Sequence, residues 1–149
     1  MSKSDKKAKD AYILQLKSNG YENVKVINSP VDISAEKNGE TYYFEIKMTK
    51  KKIKYFGAAT LTEWVQAFKT PNHFKFVIAI TDVKEEDFKF IEFSPEEFMK
   101  HSTIPPFKIY FNINLEGDSK NKLRRSAVQL TEATMKLMSE FYNAIKIKN

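Results

Sequence analysis

Asp32, Glu45 and Lys47 are the side chains whose types and spacing could do chemistry together. They lie in two alternating runs, Val31 to Lys37 and Glu40 to Met48, joined by Asn38-Gly39. Asn-Gly between two such runs is the strongest short-range sign of a β-hairpin, because a type I′ turn needs positive φ at both central residues. A two-residue turn sets Lys37 opposite Glu40, and counting back along both strands sets Asp32 opposite Glu45. Directly opposed residues hold their Cβ atoms about 4.5–5.5 Å apart, and alternation puts Ser34, Tyr43 and Lys47 on that same face. Ile33, Ala35, Tyr42, Phe44 and Ile46 take the other face, which reads as a core wall.

Two opposed carboxylates repel each other, and a bound cation gives the arrangement a reason. Hard ions such as Mg²⁺ or Mn²⁺ choose carboxylate oxygen, keep several waters and complete their shell with substrate phosphate. Asp32 and Glu45 are therefore candidate metal ligands. Lys47 is a candidate to orient or help deprotonate an attacking water and to offset charge building on a phosphoryl group. The plainer reading is that a Glu-Ile-Lys triplet arises easily in a lysine-rich chain and that an exposed Asp opposite a Glu is merely tolerated.

The elements that must position these groups follow from pattern. Lys6 to Asn19 reads as a helix with Ala11 and Leu14, joined by Ala8 and Ile13, as its apolar stripe, stopped by Asn19-Gly20. Tyr21 to Asn28 alternates as a first strand before Pro30 and the hairpin. A lysine-rich loop from Thr49 to Phe56 leads to a helix at Leu61 to Lys69, with Thr60 and Glu63 spaced as a capping box. Strands are expected at Phe74 to Thr81, Phe88 to Phe93 and Ile109 to Leu115. A short helix should open at Ser94-Pro95, and a long one should run from about Ser119. This order predicts an α/β fold in which a mixed sheet lies between helices, with a core over about 8–115 and a C-terminal helix over about 119–148 as one domain.

Composition agrees. The 149 residues carry a formal charge of +6, 42% hydrophobic residues and no cysteine, which excludes disulfides, Cys-ligated zinc and thiol catalysis and suits a reducing cytoplasm. No apolar run approaches the roughly 18 residues of a membrane span, so no membrane partner is expected. His73 and His101 are isolated from any acidic pair and read as surface or turn residues. No glycine-rich phosphate loop or nucleophile elbow is present.

The joint pattern resembles the PD-(D/E)XK nuclease superfamily, with its restriction-endonuclease-like fold. It rests on Ser-Pro-Val-Asp-Ile at 29–33, with Asp32 as the motif aspartate, and on Glu45-Ile46-Lys47 as the (D/E)XK element. Gly20-Tyr21 and Leu61-Thr62-Glu63-Trp64 look like the small nuclease domains of Mrr-type and NO VEIN-type proteins, and the likeness covers about residues 8–80. One departure is Val31 between Pro30 and Asp32. The resemblance implies a Mg²⁺- or Mn²⁺-dependent endonuclease acting on DNA in restriction, recombination or repair. It also implies an acid on the first helix, for which Asp10 is the nearest candidate although its own surroundings read it as a solvated acid, and a Gln or Glu on the helix after the (D/E)XK strand. Glu63 reads as a cap, so Gln66 is taken as the candidate there.

Lys50, Lys51, Lys52 and Lys54, followed by Tyr55 and Phe56, leave the catalytic strand directly and read as phosphate contacts with an aromatic able to stack on a base. Lys122, Arg124 and Arg125 form a second basic patch. The tail spaces Leu123, Ala127, Leu130, Thr134, Leu137, Phe141 and Ala144 as a heptad-like seam, suited to docking on its own sheet or to a homodimer. Two other readings of the same fold stand beside the nuclease: a catalytically silent nucleic-acid-binding subunit, and a protein-interaction module using the acidic stretch Asp82 to Glu97.

Overall fold

The computed structural model describes residues 1–105 and 125–146, with side chains over 1–105, 132–144 and 146. The expected strand at Ile109 to Leu115, the start of the tail helix near Ser119, and the side chains of Lys122, Arg124 and Arg125 lie outside these residues.

Three helix starts are closed by the side chains the sequence offers. Ser2 and Asp5 form a capping box on α1 (Lys3–Ser18), Thr60 and Glu63 on α2 (Leu61–Lys69), and Ser94 and Glu97 on α3 (Pro95–Lys100), where Pro95 fills the first turn. Two hydrogen bonds per box satisfy N–H groups that have no partner within the helix.

Among the described residues the sheet has five strands in sequence order: β1 (Glu22–Val26), β2 (Ile33–Lys37), β3 (Glu40–Thr49), β4 (Phe74–Thr81) and β5 (Phe88–Phe93). β1, β2 and β3 form an antiparallel meander, β3 and β4 pair in parallel across the α2 crossover, and β5 returns antiparallel to β4. Asn38 and Gly39 both have positive φ, 53° and 77°, and Lys37 pairs with Glu40 as expected for the two-residue turn. α1 covers one face, where Ala8, Tyr12 and Leu16 pack on Ile33, Ala35, Phe44 and Val77. α2 covers the other with Trp64 and Ala67 against Val31, Phe74 and Phe76. The result is a mixed α/β sandwich. Among the described residues no helix is long and apolar enough to cross a membrane.

Three expectations change. The apolar stripe of α1 is Ala8, Tyr12 and Leu16, while Leu14 is 69% exposed. Tyr12 can be wholly buried because its hydroxyl donates to Glu92 at 2.6 Å, so its polar atom keeps a partner. β2 begins at Ile33 rather than Val31. Val31 enters the α2-side core and Ile33 the α1-side core. Residues two apart on a straight strand share a face, so the chain must bend between them, and Asp32 sits at that bend. Finally, the tail helix α4 (Arg125–Lys146) docks on α2 rather than on the sheet: the ring of Phe141 lies 6.4 Å from Trp64 and 6.1 Å from Phe68.

Candidate active site

The β2–β3 ladder ends at Ile33 and Phe44, one pair before the expected Asp32–Glu45 pair. From Glu45 onward β3 keeps β4 as its partner but, among the described residues, has no strand on the β2 side. Asp32 fills that gap with its side chain. Its Oδ2 accepts from the Ile46 N–H at 3.0 Å, a charge-assisted bond in place of a strand bond. The carboxylate is thereby fixed at the open edge of the central strand, and it lines one cleft of about 340 Å³ with Glu45 and Lys47. The three residues that the spacing groups do share a cleft, but through a different geometry, a side chain capping a frayed edge instead of a cross-strand pair.

Glu45 shares its face with Tyr43 and Lys47 and is only 5% exposed. Burial pushes its carboxyl up to about 8, and the neighbouring charges of Glu63 and Asp32 add to that, against the hydrogen bond from Lys47. Lys47 Nζ donates to Glu45 Oε1 at 2.8 Å and to Glu63 Oε2 at 2.9 Å. Burial works against its charge, yet these two carboxylates outweigh burial and hold its proton above the ordinary lysine range. Lys47 is therefore a fixed ammonium.

Two residues join the cluster that sequence reasoning passed over or placed elsewhere. Lys9 of α1 is 8% exposed and pairs with Asp32 Oδ1 at 2.5 Å. Asp10, the nearest candidate for a first-helix acid, is exposed, as its reading as a solvated acid expects. The misplaced stripe explains both: once Tyr12 is on the buried face, Lys9 turns toward the sheet and Asp10 toward solvent. Glu63 is the cap it was read as, since its Oε2 accepts from the Thr60 N–H at 2.9 Å, and the same oxygen also holds Lys47. Gln66, one turn further, donates from its amide to Thr70 Oγ1 at 3.3 Å, and Glu63 rather than Gln66 meets Lys47.

The lysine loop behaves unevenly. Lys50 is engaged by Glu85, with Nζ 2.6 Å from Oε1, and Glu85 also accepts from Ser4. The acidic stretch therefore folds back to touch the basic one. Lys51, Lys52 and Lys54 are exposed, and Tyr55 lines the carboxylate cleft. His73 bonds Glu40 at 3.0 Å, and His101 stacks edge-on against Phe93, both away from the cleft.

The donor set suits one kind of ion. Among the described residues no group of three His, Cys, Asp or Glu side chains converges, so a cation here would have two protein carboxylates and would need water and substrate for the rest, as Mg²⁺ does. With Glu45 ionised, as a bound cation would require, the cluster holds three carboxylates and two ammonium groups, a formal charge of −1. A divalent cation would bring it to +1, and one phosphodiester would then make it neutral.

Neither a search of curated proteins nor a search of solved structures finds a match. The family model described as Protein NO VEIN, C-terminal, matches residues 4–92, a span running from α1 through β5 and including Asp32, Glu45, Lys47 and Glu63, and the chain belongs to that family.

Proposed function

We propose that this protein is a metal-dependent nuclease of the PD-(D/E)XK type that hydrolyses phosphodiester bonds, in DNA in the first instance. The observation that carries this reading is the cleft at the open edge of β3, where Asp32, Glu45 and Lys47 meet beside a basic loop. Asp32 and Glu45 would hold Mg²⁺ or Mn²⁺, which when bound supplies a Lewis acid for the phosphoryl oxygen and lowers the pKa of water. Lys9 and the Ile46 N–H fix Asp32, so the first carboxylate is oriented before any substrate arrives. Glu63 holds Lys47 from α2, and the Lys47 ammonium offsets negative charge growing on the phosphate and orients the nucleophile. Lys51, Lys52 and Lys54 contact backbone phosphate, which positions the strand without reading sequence.

A second reading has one observation in its favour. Lys9, where the superfamily resemblance asks for an acid, already neutralises Asp32, as would suit a nucleic-acid-binding subunit that has lost its chemistry.

Supercoiled plasmid incubated with Mg²⁺ or Mn²⁺ separates the two. Nicking by the native chain and by neither Lys47→Ala nor Asp32→Ala is the expected result. Binding without cleavage by any of them selects the silent subunit. Neither binding nor cleavage removes both and leaves a protein-interaction module.

A further inference from the structure

A second cavity, about 600 Å³, opens beside the carboxylate cleft and shares Met48 and Tyr55 with it. Its walls combine apolar surface from Met48, Tyr55 and Phe56 with the ammonium groups of Lys51 and Lys54. Phe56 is 100% exposed and Ile53 94% exposed. Single exposed apolar residues need no explanation, but an aromatic pair and an isoleucine within four consecutive residues form a patch. The chain from Ile46 to Thr62 contains no acidic residue; the carboxylate of Glu85 reaches the cavity wall from outside this stretch but is engaged by Lys50 and Ser4, which leaves Lys51 and Lys54 as the cations facing the patch. Tyr55 is held over the loop backbone, since a Cβ on Gly57 would come within 2.9 Å of its hydroxyl.

We infer that this cavity is a nucleobase subsite: one unstacked base of the substrate strand lies against Tyr55 and Phe56 while Lys51 and Lys54 take the flanking phosphates. An apolar wall asks for a flat uncharged body, and the lysines ask for anions on either side of it. A nucleotide within a strand is both. Because the subsite adjoins the cleft, the favoured substrate carries an unpaired or extruded nucleotide next to the bond that is cut. A base inside an intact duplex presents no free face and would have to be flipped out at the cost of its stacking and pairing. This inference rests on the reading of the Asp32–Glu45 cleft as the place of the scissile phosphate, although the subsite itself can be tested without cleavage.

The test is fluorescence anisotropy in EDTA with two labelled duplexes of the same sequence, one fully paired and one with a single-nucleotide bulge. The bulged duplex should bind about 5- to 150-fold tighter, the range that base–aromatic stacking supplies. Phe56→Ala should bring that ratio close to one, and Phe56→Trp should keep it, with indole emission quenched by the bulged duplex. Lys51→Ala should weaken both duplexes equally and lower the salt slope. Equal affinity for the two duplexes, or a bulge preference that survives Phe56→Ala, overturns the subsite. So does binding of the patch to phosphatidylserine vesicles and to neither duplex. The catalytic reading fails separately: a bulge preference without cleavage in Mn²⁺ keeps the subsite and removes hydrolysis, whereas equal cleavage of both duplexes by the native chain and by Phe56→Ala does the reverse.

Discussion

Glu63 has two tasks that can be measured apart. Its Oε2 closes the capping box on α2 and pairs with Lys47. Glu63→Ala removes both. The capping-box contribution is about 0.5–1 kcal/mol. The ion pair lies between the surface and buried extremes: the side chains are 17% and 12% exposed, and Lys47 retains Glu45 as a second partner. Breaking a buried pair costs about 3–5 kcal/mol and an exposed one under about 1 kcal/mol, so about 1–2 kcal/mol is expected here. Together these give about 1.5–3 kcal/mol, or a fall in Tm of roughly 3–12 °C for a chain of this size. Thr60→Ala removes the cap alone and should cost about 1 kcal/mol. Glu63→Gln can still accept from the Thr60 N–H and so isolates the charge. Thermal and urea unfolding of the metal-free protein at low salt, followed by circular dichroism, supplies the comparison. A cycle of Glu63→Gln with Lys47→Met should show a coupling above about 0.5 kcal/mol. If Glu63→Ala cost no more than Thr60→Ala and the cycle gave no coupling, Glu63 would be a cap only, and the claim that α2 positions Lys47 would be wrong.

Two further outcomes follow from the same electrostatics. Glu45 has its carboxyl pushed up to about 8 by burial, against an unfolded value near 4.5. A raised carboxyl favours the protonated folded state, so the stability it contributes is complete below about 4.5 and is lost as pH rises toward 8. The metal-free native chain should therefore lose Tm across that window, while Glu45→Gln should flatten the decline and unfold higher than the native chain at pH 8, by about 1 kcal/mol or more; a Tm for Glu45→Gln below that of the native chain at pH 8 contradicts this. Glu85→Gln releases Lys50 from its carboxylate and should raise affinity for duplex DNA at low salt by a few-fold with a steeper salt dependence, as one more cation reaches phosphate. Unchanged affinity and slope in filter binding would mean that Lys50 does not face the nucleic acid.

Local chemistry was legible where its partners are close in sequence. Asn38-Gly39, Thr60 with Glu63, and Ser94-Pro95 each act within a few residues, and each does in the structure what its residue types require. The carboxylate pair and its lysine were legible as a set because the hairpin register is local too. What was not legible depends on distant partners. Tyr12 can be buried because Glu92, far along the chain, accepts from its hydroxyl, and the packing of Ala8, Tyr12 and Leu16 on the sheet sets the phase of α1 that turns Lys9 rather than Asp10 toward Asp32. Asp32 leaves the ladder because Val31 and Ile33 belong to opposite cores, which alternation within one strand cannot foresee. Lys50 reads as free in a run of lysines until the β4–β5 turn brings Glu85 to it. Glu63 was correctly read as a cap, but its second bond to Lys47 appears only once α2 has crossed over β3.

The central claim is that Asp32 and Glu45 form one divalent-cation site. Isothermal titration of the native chain with Mn²⁺ tests it most directly, alongside Asp32→Asn and Glu45→Gln, with circular dichroism to verify that each variant is folded. The account expects one Mn²⁺ per chain in the native protein and at least a tenfold loss of affinity in each variant. Mn²⁺ binding that both folded variants retain, or no binding by the native chain even with a phosphodiester oligonucleotide present, would contradict it.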